Sequence, residues 1–169
     1  MLAPEQTQYN HEQGLPHNFS WLLPQRIAGT STPRRWEQLQ ALVAEGVSHL
    51  VSLSPEVAPP NLVIRGLTIH FIGVKESKAP SLEQFQDFIN ICEEARRKKE
   101  GVAVHCAGGN GRTGSMLAVY LVWSRGTEAR AAVKEVRRTR PGSIENKKQE
   151  NVVSDFMNYK KSLMLDLNV

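Results

Sequence analysis

The chain has 169 residues, 40% apolar and 22% charged, values of an ordinary globular domain that exclude a disordered or fibrous chain. No apolar run approaches the ~18 residues of a membrane span, no charged-then-apolar leader opens the chain, and two cysteines are too few for a disulfide framework, so a cytoplasmic and also nuclear location is expected. The net charge of +4 is uneven: between Arg96 and Lys148 there are thirteen Lys and Arg against four Glu and no Asp, a bias that favours anionic ligands without naming them.

Residues 1–16 are Gln-rich and aperiodic and are expected as a flexible arm, before a catalytic-sized domain over 17–160 and a tail over 161–169. Asn18 to Leu23 and Arg26 to Ala28 read as short strands parted by Pro24. A helix is predicted from Thr32 as N-cap with Pro33 in its first turn, using Trp36, Leu39, Leu42 and Val43 and stopping at Gly46. Val47 to Leu53 reads as a strand, Ser54 to Gly66 as a proline-bearing loop, and Leu67 to Gly73 as a further strand. Ser81 and Gln84 form a capping box for a helix that buries Leu82, Phe85, Phe88, Ile89, Cys92 and Ala95. Gly101 to His105 has the continuous apolar character of a central parallel strand. Helices follow at about 112–124, at 127–139 with Thr127 as cap, and at 146–160 with Val152, Val153, Phe156 and Tyr159 inward. Strands interleaved with helices define an α/β fold.

The chemistry concentrates in Val104-His105-Cys106-Ala107-Gly108-Gly109-Asn110-Gly111-Arg112-Thr113-Gly114, set between a strand and a helix. Its glycines let the backbone curl so that successive N–H groups point at one centre, an anion-binding nest. The next helix aims its N-terminus at the same point, and the Arg112 guanidinium offers a planar fork for two phosphate oxygens. The same donors act on Cys106, which is expected as a thiolate at neutral pH. A thiolate beneath a phosphate cradle is a nucleophile for phosphorus.

The segment resembles the Cys-x5-Arg signature of the protein tyrosine phosphatase superfamily, and the chain over about 17–160 resembles its atypical dual-specificity members. Asn18 to Trp21, Leu50 to Leu53 and Arg140 to Glu145 extend the likeness beyond the loop. The resemblance implies an α/β fold with a mixed central sheet flanked by helices, and metal-free hydrolysis of phosphomonoesters through a cysteinyl-phosphate. It implies Cys106 as nucleophile, Arg112 as phosphate and transition-state clamp, and Thr113 as support for the thiolate and its departure. Ala107, Gly108, Gly109, Asn110, Gly111 and Arg112 are the implied phosphate binders. The substrate would be a phosphorylated protein, carrying phosphotyrosine and also phosphoserine or phosphothreonine, and free phosphate or sulfate would fit the same loop. No cofactor, metal, membrane or nucleic-acid partner is expected, and the chain is expected to be monomeric. Two other readings stay open: a phosphatase of an RNA 5′-phosphate or phosphoinositide, and a weakly active phosphate-binding pseudophosphatase.

One feature departs from the family. Its members carry an Asp general acid in a loop some thirty residues before the Cys, whereas the three Asp here are Asp87 within a helix and Asp155 and Asp166 after the signature. Glu76, in Val-Lys-Glu-Ser, stands at the matching spacing and is the candidate acid, with a solvated loop carboxylate as the alternative; the missing proline is expected to loosen the loop. His105 is read as fixing the loop, Cys92 as a core thiol, and His49 and His70 as ordinary strand residues. Trp21, Trp36 and Trp123 are read as core or half-buried packing, Asn110 as tolerating an unusual backbone, and Arg137, Arg138 and Arg140 as a solvated helix end.

Overall fold

A computed structural model describes residues 2–166. In chain order the elements are α1 (Pro4–Glu12), β1 (Ser20–Leu23), β2 (Ile27–Ser31), α2 (Trp36–Ala44), β3 (Val47–Ser52), β4 (Thr68–Phe71), α3 (Leu82–Lys98), β5 (Gly101–Cys106), α4 (Gly111–Arg125), α5 (Ala129–Thr139) and α6 (Lys147–Asp166). The strands form one sheet in the order β1-β2-β5-β3-β4. β1 runs antiparallel to β2, and every other pairing is parallel. This is the expected mixed sheet between helices.

β5 is buried along its whole length because it is central and covered on both faces. Its alternation divides the core. Val102, Val104 and Cys106 join a large cluster with α3, α4, α5 and α6, while Ala103 joins a smaller one with Leu39 and Leu42 of α2. α4 is buried from Gly111 to Val122, which explains why its sequence lacks a polar face. Parallel strands carry their C-terminal ends to one edge, so Ser31, Ser52 and Cys106 finish together there and the loops after them share that edge.

The capping box at Ser81 is present in both directions, and Gln84 also donates from Nε2 to the Gly73 carbonyl (2.7 Å). The helix start thereby holds the loop that carries Glu76. Four expectations need correction. Residues 1–16 are not a loose arm: Pro4–Glu12 is helical, Leu15 is buried, and buried Asn10 donates to the Phe19 carbonyl (2.8 Å). α2 begins at Trp36 rather than after Thr32, because the Thr32 amide and hydroxyl are both bonded to the Cys106–Ala107 backbone; Trp36, in its first turn, is 47% exposed. α5 begins at Ala129 with Glu128 as cap, and α6 supplies the Ala129 amide with Met157 Sδ (3.4 Å) in place of a Thr127 hydroxyl. The Arg137–Arg140 run is a solvated end only in part: Arg137 and Arg138 are exposed as expected, and Arg140 is not. Arg137 donates to the Ser143 and Ile144 carbonyls, and Arg140 is 1% exposed.

α6 continues to Asp166, past the expected domain end at 160, and residues 167–169 of the expected tail lie outside the described residues. Lys160 donates to the Val122 and Trp123 carbonyls at the end of α4, where cations suit the helix dipole. Asn10→Ala is expected to lower stability by about 1–3 kcal/mol, because it strands a buried carbonyl. Urea unfolding measures this, and an unmoved midpoint would restore the loose arm.

Candidate active site

Cys106 ends β5, and the next five residues turn directly into α4. Each carbonyl of that turn is bonded away from its concave side. Thr32 Oγ1 donates to the Cys106 carbonyl (3.1 Å) and the Thr32 amide to that of Ala107 (3.2 Å). Asn18 Nδ2 donates to the Gly108 carbonyl (2.8 Å) and Arg140 Nη2 to that of Gly109 (2.9 Å). The Gly114 and Ile144 amides share the Asn110 carbonyl (2.8 and 3.3 Å). Among the described residues, no loop or turn hydrogen bond begins at an amide of 107–112. Carbonyls tied outward leave amides facing inward, beside the sulfur and the α4 N-terminus.

Gly109 makes the curl possible. Its φ of +75° is costly for other residues, and a Cβ there would strike the Thr30 carbonyl. Asn110, expected in an unusual conformation, has φ −110° and instead accepts a hydrogen bond from Asn18 through Oδ1 (3.0 Å).

Arg112 is 5% exposed, and two of its five donors are occupied: Nη1 on the Val74 carbonyl (2.8 Å), Nη2 on Glu56 Oε1 (2.5 Å). Burial alone would depress its pKa, but the Glu56 carboxylate and the Cys106 sulfur hold it raised. The Arg112 hydrogen bond in turn holds the Glu56 carboxyl below its usual range. His105 is fully buried and pushed to about 4, first by burial and then by the Arg112 charge, so it is neutral near pH 7. Since the Thr32 hydroxyl spends its proton on the Cys106 carbonyl, His105 Nδ1 must donate to Thr32 Oγ1 (3.3 Å), which leaves Nε2 bare and without a partner. His105 therefore fixes the loop, as expected. Thr113 Oγ1 is buried without a hydrogen-bond partner. Cys92 is a buried free thiol whose pKa burial pushes well up, as a core residue should be.

The cleft over the loop measures ≈ 120 Å³ and is lined by Cys106, Ala107, Gly108, Asn110, Gly111 and Arg112, with Glu76 and Ser77 on one side and Glu145 and Gln149 on the other. Of the expected site residues, Glu76, Cys106, Ala107, Gly108, Asn110, Gly111 and Arg112 meet at the cleft, whereas Gly109 shapes the loop from behind and Thr113 is fully buried and does not line it. Sequence reasoning missed Asn18, Thr32, Glu56, Glu145, Gln149 and the buried Arg140. Glu145 and Arg140 had a signal, the Arg-Pro-Gly-Ser-Ile-Glu segment, whereas nothing local marked Glu56. A surface groove of ≈ 640 Å³ between residues 58–63 and β4 is lined by no titratable side chain and lies apart from this chemistry.

A cysteine at the end of a central strand, a glycine-rich turn with its carbonyls tied outward and an arginine six positions on are the marks of the Cys-x5-Arg class of phosphatase-like domains. Residues 16–153 match the family model described as "Swiss Army Knife protein, DSP-PTPase phosphatase domain", and the chain belongs to this DSP-PTPase phosphatase family. The crystal structure of Tk-PTP in its active form is similar with 30% identity and a TM-score of 0.75, over 83% of this chain and 97% of that one. Mouse dual specificity protein phosphatase CDC14B is 24% identical over 161 residues, 86% of this chain and 33% of that protein. Mouse protein tyrosine phosphatase domain-containing protein 1 is 33% identical over 101 residues, 60% of this chain and 13% of that protein. The chain thus spans a third or less of these two curated relatives.

Glu56→Gln is expected to weaken orthophosphate binding about three- to tenfold at pH 7, the worth of one partly exposed charge-assisted bond that orients Arg112. Wild type forms the pair only while Glu56 is ionised, so the two proteins should converge as pH falls through its depressed range. Competition titrations across pH measure both.

Proposed function

We propose that this chain hydrolyses phosphomonoesters on proteins, phosphotyrosine together with phosphoserine and phosphothreonine, through a cysteinyl-phosphate. The observation that carries this reading is the set of five tied carbonyls, Cys106 to Asn110, which leaves the amides of the same peptide units free to face the sulfur. A tetrahedral oxyanion fits those donors, and Arg112 adds two parallel ones on its free edge.

In the first step Cys106 attacks phosphorus in line with the leaving oxygen. The sulfur–phosphorus bond forms as the phosphorus–oxygen bond breaks, and Glu76 gives its proton to the departing oxygen. Charge on the equatorial oxygens grows toward Arg112 and the α4 N-terminus, where fixed donors stabilise it. In the second step Glu76 takes a proton from water as that water attacks phosphorus. The sulfur leaves as thiolate, with the buried, unpartnered Thr113 hydroxyl available to donate to it. Glu76 and Glu145 both line the cleft, and Glu76 is preferred because it sits in the loop whose neighbour, Val74, is bonded to Arg112.

Cys106→Ser is expected to abolish turnover of an aryl phosphate while orthophosphate still binds, and EDTA is expected to leave wild-type turnover unchanged. With a poor leaving group, Glu76→Ala should lower kcat by about 10²–10⁴, and Glu76→Asp by less. A loss with Glu145→Ala instead would move the acid to that residue. Binding without turnover by wild type would make the chain a phosphate-binding module. A panel of phosphopeptides, RNA 5′-phosphates and phosphoinositides tests the substrate class, and preference for either of the latter two overturns the protein-substrate reading.

A further inference from the structure

Arg140 is the largest fully buried side chain among the described residues. It follows α5, runs under the Cys106–Arg112 loop, and ties three segments together. Its Nη1 donates to Ser20 Oγ (2.5 Å) and the Gly29 carbonyl (2.8 Å), and its Nη2 to the Asn18 (2.9 Å) and Gly109 (2.9 Å) carbonyls. Gly29 makes room for it: a Cβ there would lie 2.8 Å from Arg140 Nε.

All four acceptors are neutral. Among the described residues no carboxylate pairs with Arg140, whereas Arg112 is partly neutralised by Glu56. Burying an arginine without an anion is costly unless an anion is nearby for at least part of the protein's working cycle. Burial pushes the Arg140 pKa down to about 10, and the charge that opposes this is that of the Cys106 sulfur. The Gly109 contact adds a geometric role, since it holds one of the carbonyls that must face outward for the amides to face inward.

We propose that Arg140 is a positioning residue of the proposed phosphatase reaction: its uncompensated buried charge, fixed behind the loop, keeps Cys106 ionised, while its bond to Gly109 keeps the cradle open toward phosphate. The inference rests on the phosphatase reading for its purpose, but its test does not require turnover. The solvated clefts cannot supply this charge, because water screens them.

The test is the rate of Cys106 alkylation by iodoacetamide as a function of pH, followed by peptide mapping in the full chain, in wild type, Arg140→Gln and Ser20→Asp. Arg140→Gln removes the charge. Ser20→Asp leaves Arg140 and its bond to Gly109 in place but gives it a carboxylate partner. In each variant the alkylation midpoint is expected to move up by about one pH unit, a tenfold loss of thiolate at a fixed lower pH. Orthophosphate affinity should fall in Arg140→Gln. If Arg140→Gln gives no cooperative unfolding transition, Ser20→Asp decides alone. A midpoint unmoved in the folded variants overturns the proposal and leaves Arg140 as a brace, even where phosphate affinity falls. Absence of wild-type turnover would instead sink the phosphatase reading and leave the alkylation result standing.

Discussion

Successive amides can face one point only if their carbonyls are held on the opposite side, and the five carbonyls from Cys106 to Asn110 are all held by donors from elsewhere in the fold. Convergent N–H dipoles repel one another, so an isolated peptide would not hold this conformation without an anion. The fold holds it by supplying a donor for each loop carbonyl: the Asn18 side chain, the Thr32 hydroxyl and amide, the Arg140 guanidinium, and the amides of Gly114 and Ile144. These come from both ends of the chain and from between. Those from Thr32 and Arg140 satisfy buried polar groups, so the same bonds that aim the cradle also stabilise the fold. The site is thereby organised before any ligand arrives, and binding does not have to order the loop.

Topology makes the arrangement possible. β2, β3 and β5 are parallel and neighbouring, so the residues that follow their C-terminal ends meet on one edge. Thr32 follows β2, Glu56 follows β3, and Cys106 closes β5, each within a few residues of its strand. A single sheet edge therefore delivers a loop anchor, a partner for Arg112 and the Cys106 sulfur. His105, one residue earlier on β5, points to the opposite face, where burial keeps it neutral and where it bonds Thr32.

The local signals in the sequence were read well. The apolar central strand, the capping box at Ser81 and the glycine-rich turn each leave a mark within a few residues, and each lies where that mark put it. What escaped was every case in which a distant partner outbids a local preference. Thr32 followed by Pro33 reads as a helix start, yet the Thr32 amide and hydroxyl are claimed by residues 106 and 107, more than seventy positions away. The Gln-rich opening has no apolar face, and its helix is held by Asn10 and Leu15 rather than by an amphipathic stripe. Arg140 sits in a basic run that looks solvated, because nothing in a one-dimensional pattern distinguishes an arginine that turns inward. Glu56 lies among prolines in a loop and becomes meaningful only when Arg112 is folded against it.

The same reasoning bears on the loop that carries Glu76, where the family's aspartate and its proline are both absent. Without the proline the loop was expected to be slack. Its backbone is instead held at several points: the Gly73 carbonyl by Gln84, the Val74 amide on the Leu53 carbonyl, and the Val74 carbonyl by Arg112. Beyond these, Lys78 closes a turn onto the Lys75 carbonyl (3.1 Å) with Ser77 at φ +57°. Glu76 therefore occupies the second position of a tight turn whose base is bonded to Arg112. A turn fixed in this way brings its backbone to the cleft at a set distance, and the extra methylene of Glu over Asp becomes added reach from a defined origin. Ring stiffness in the chain and hydrogen bonds from outside it are alternative ways to limit one loop's freedom, and this protein uses the second.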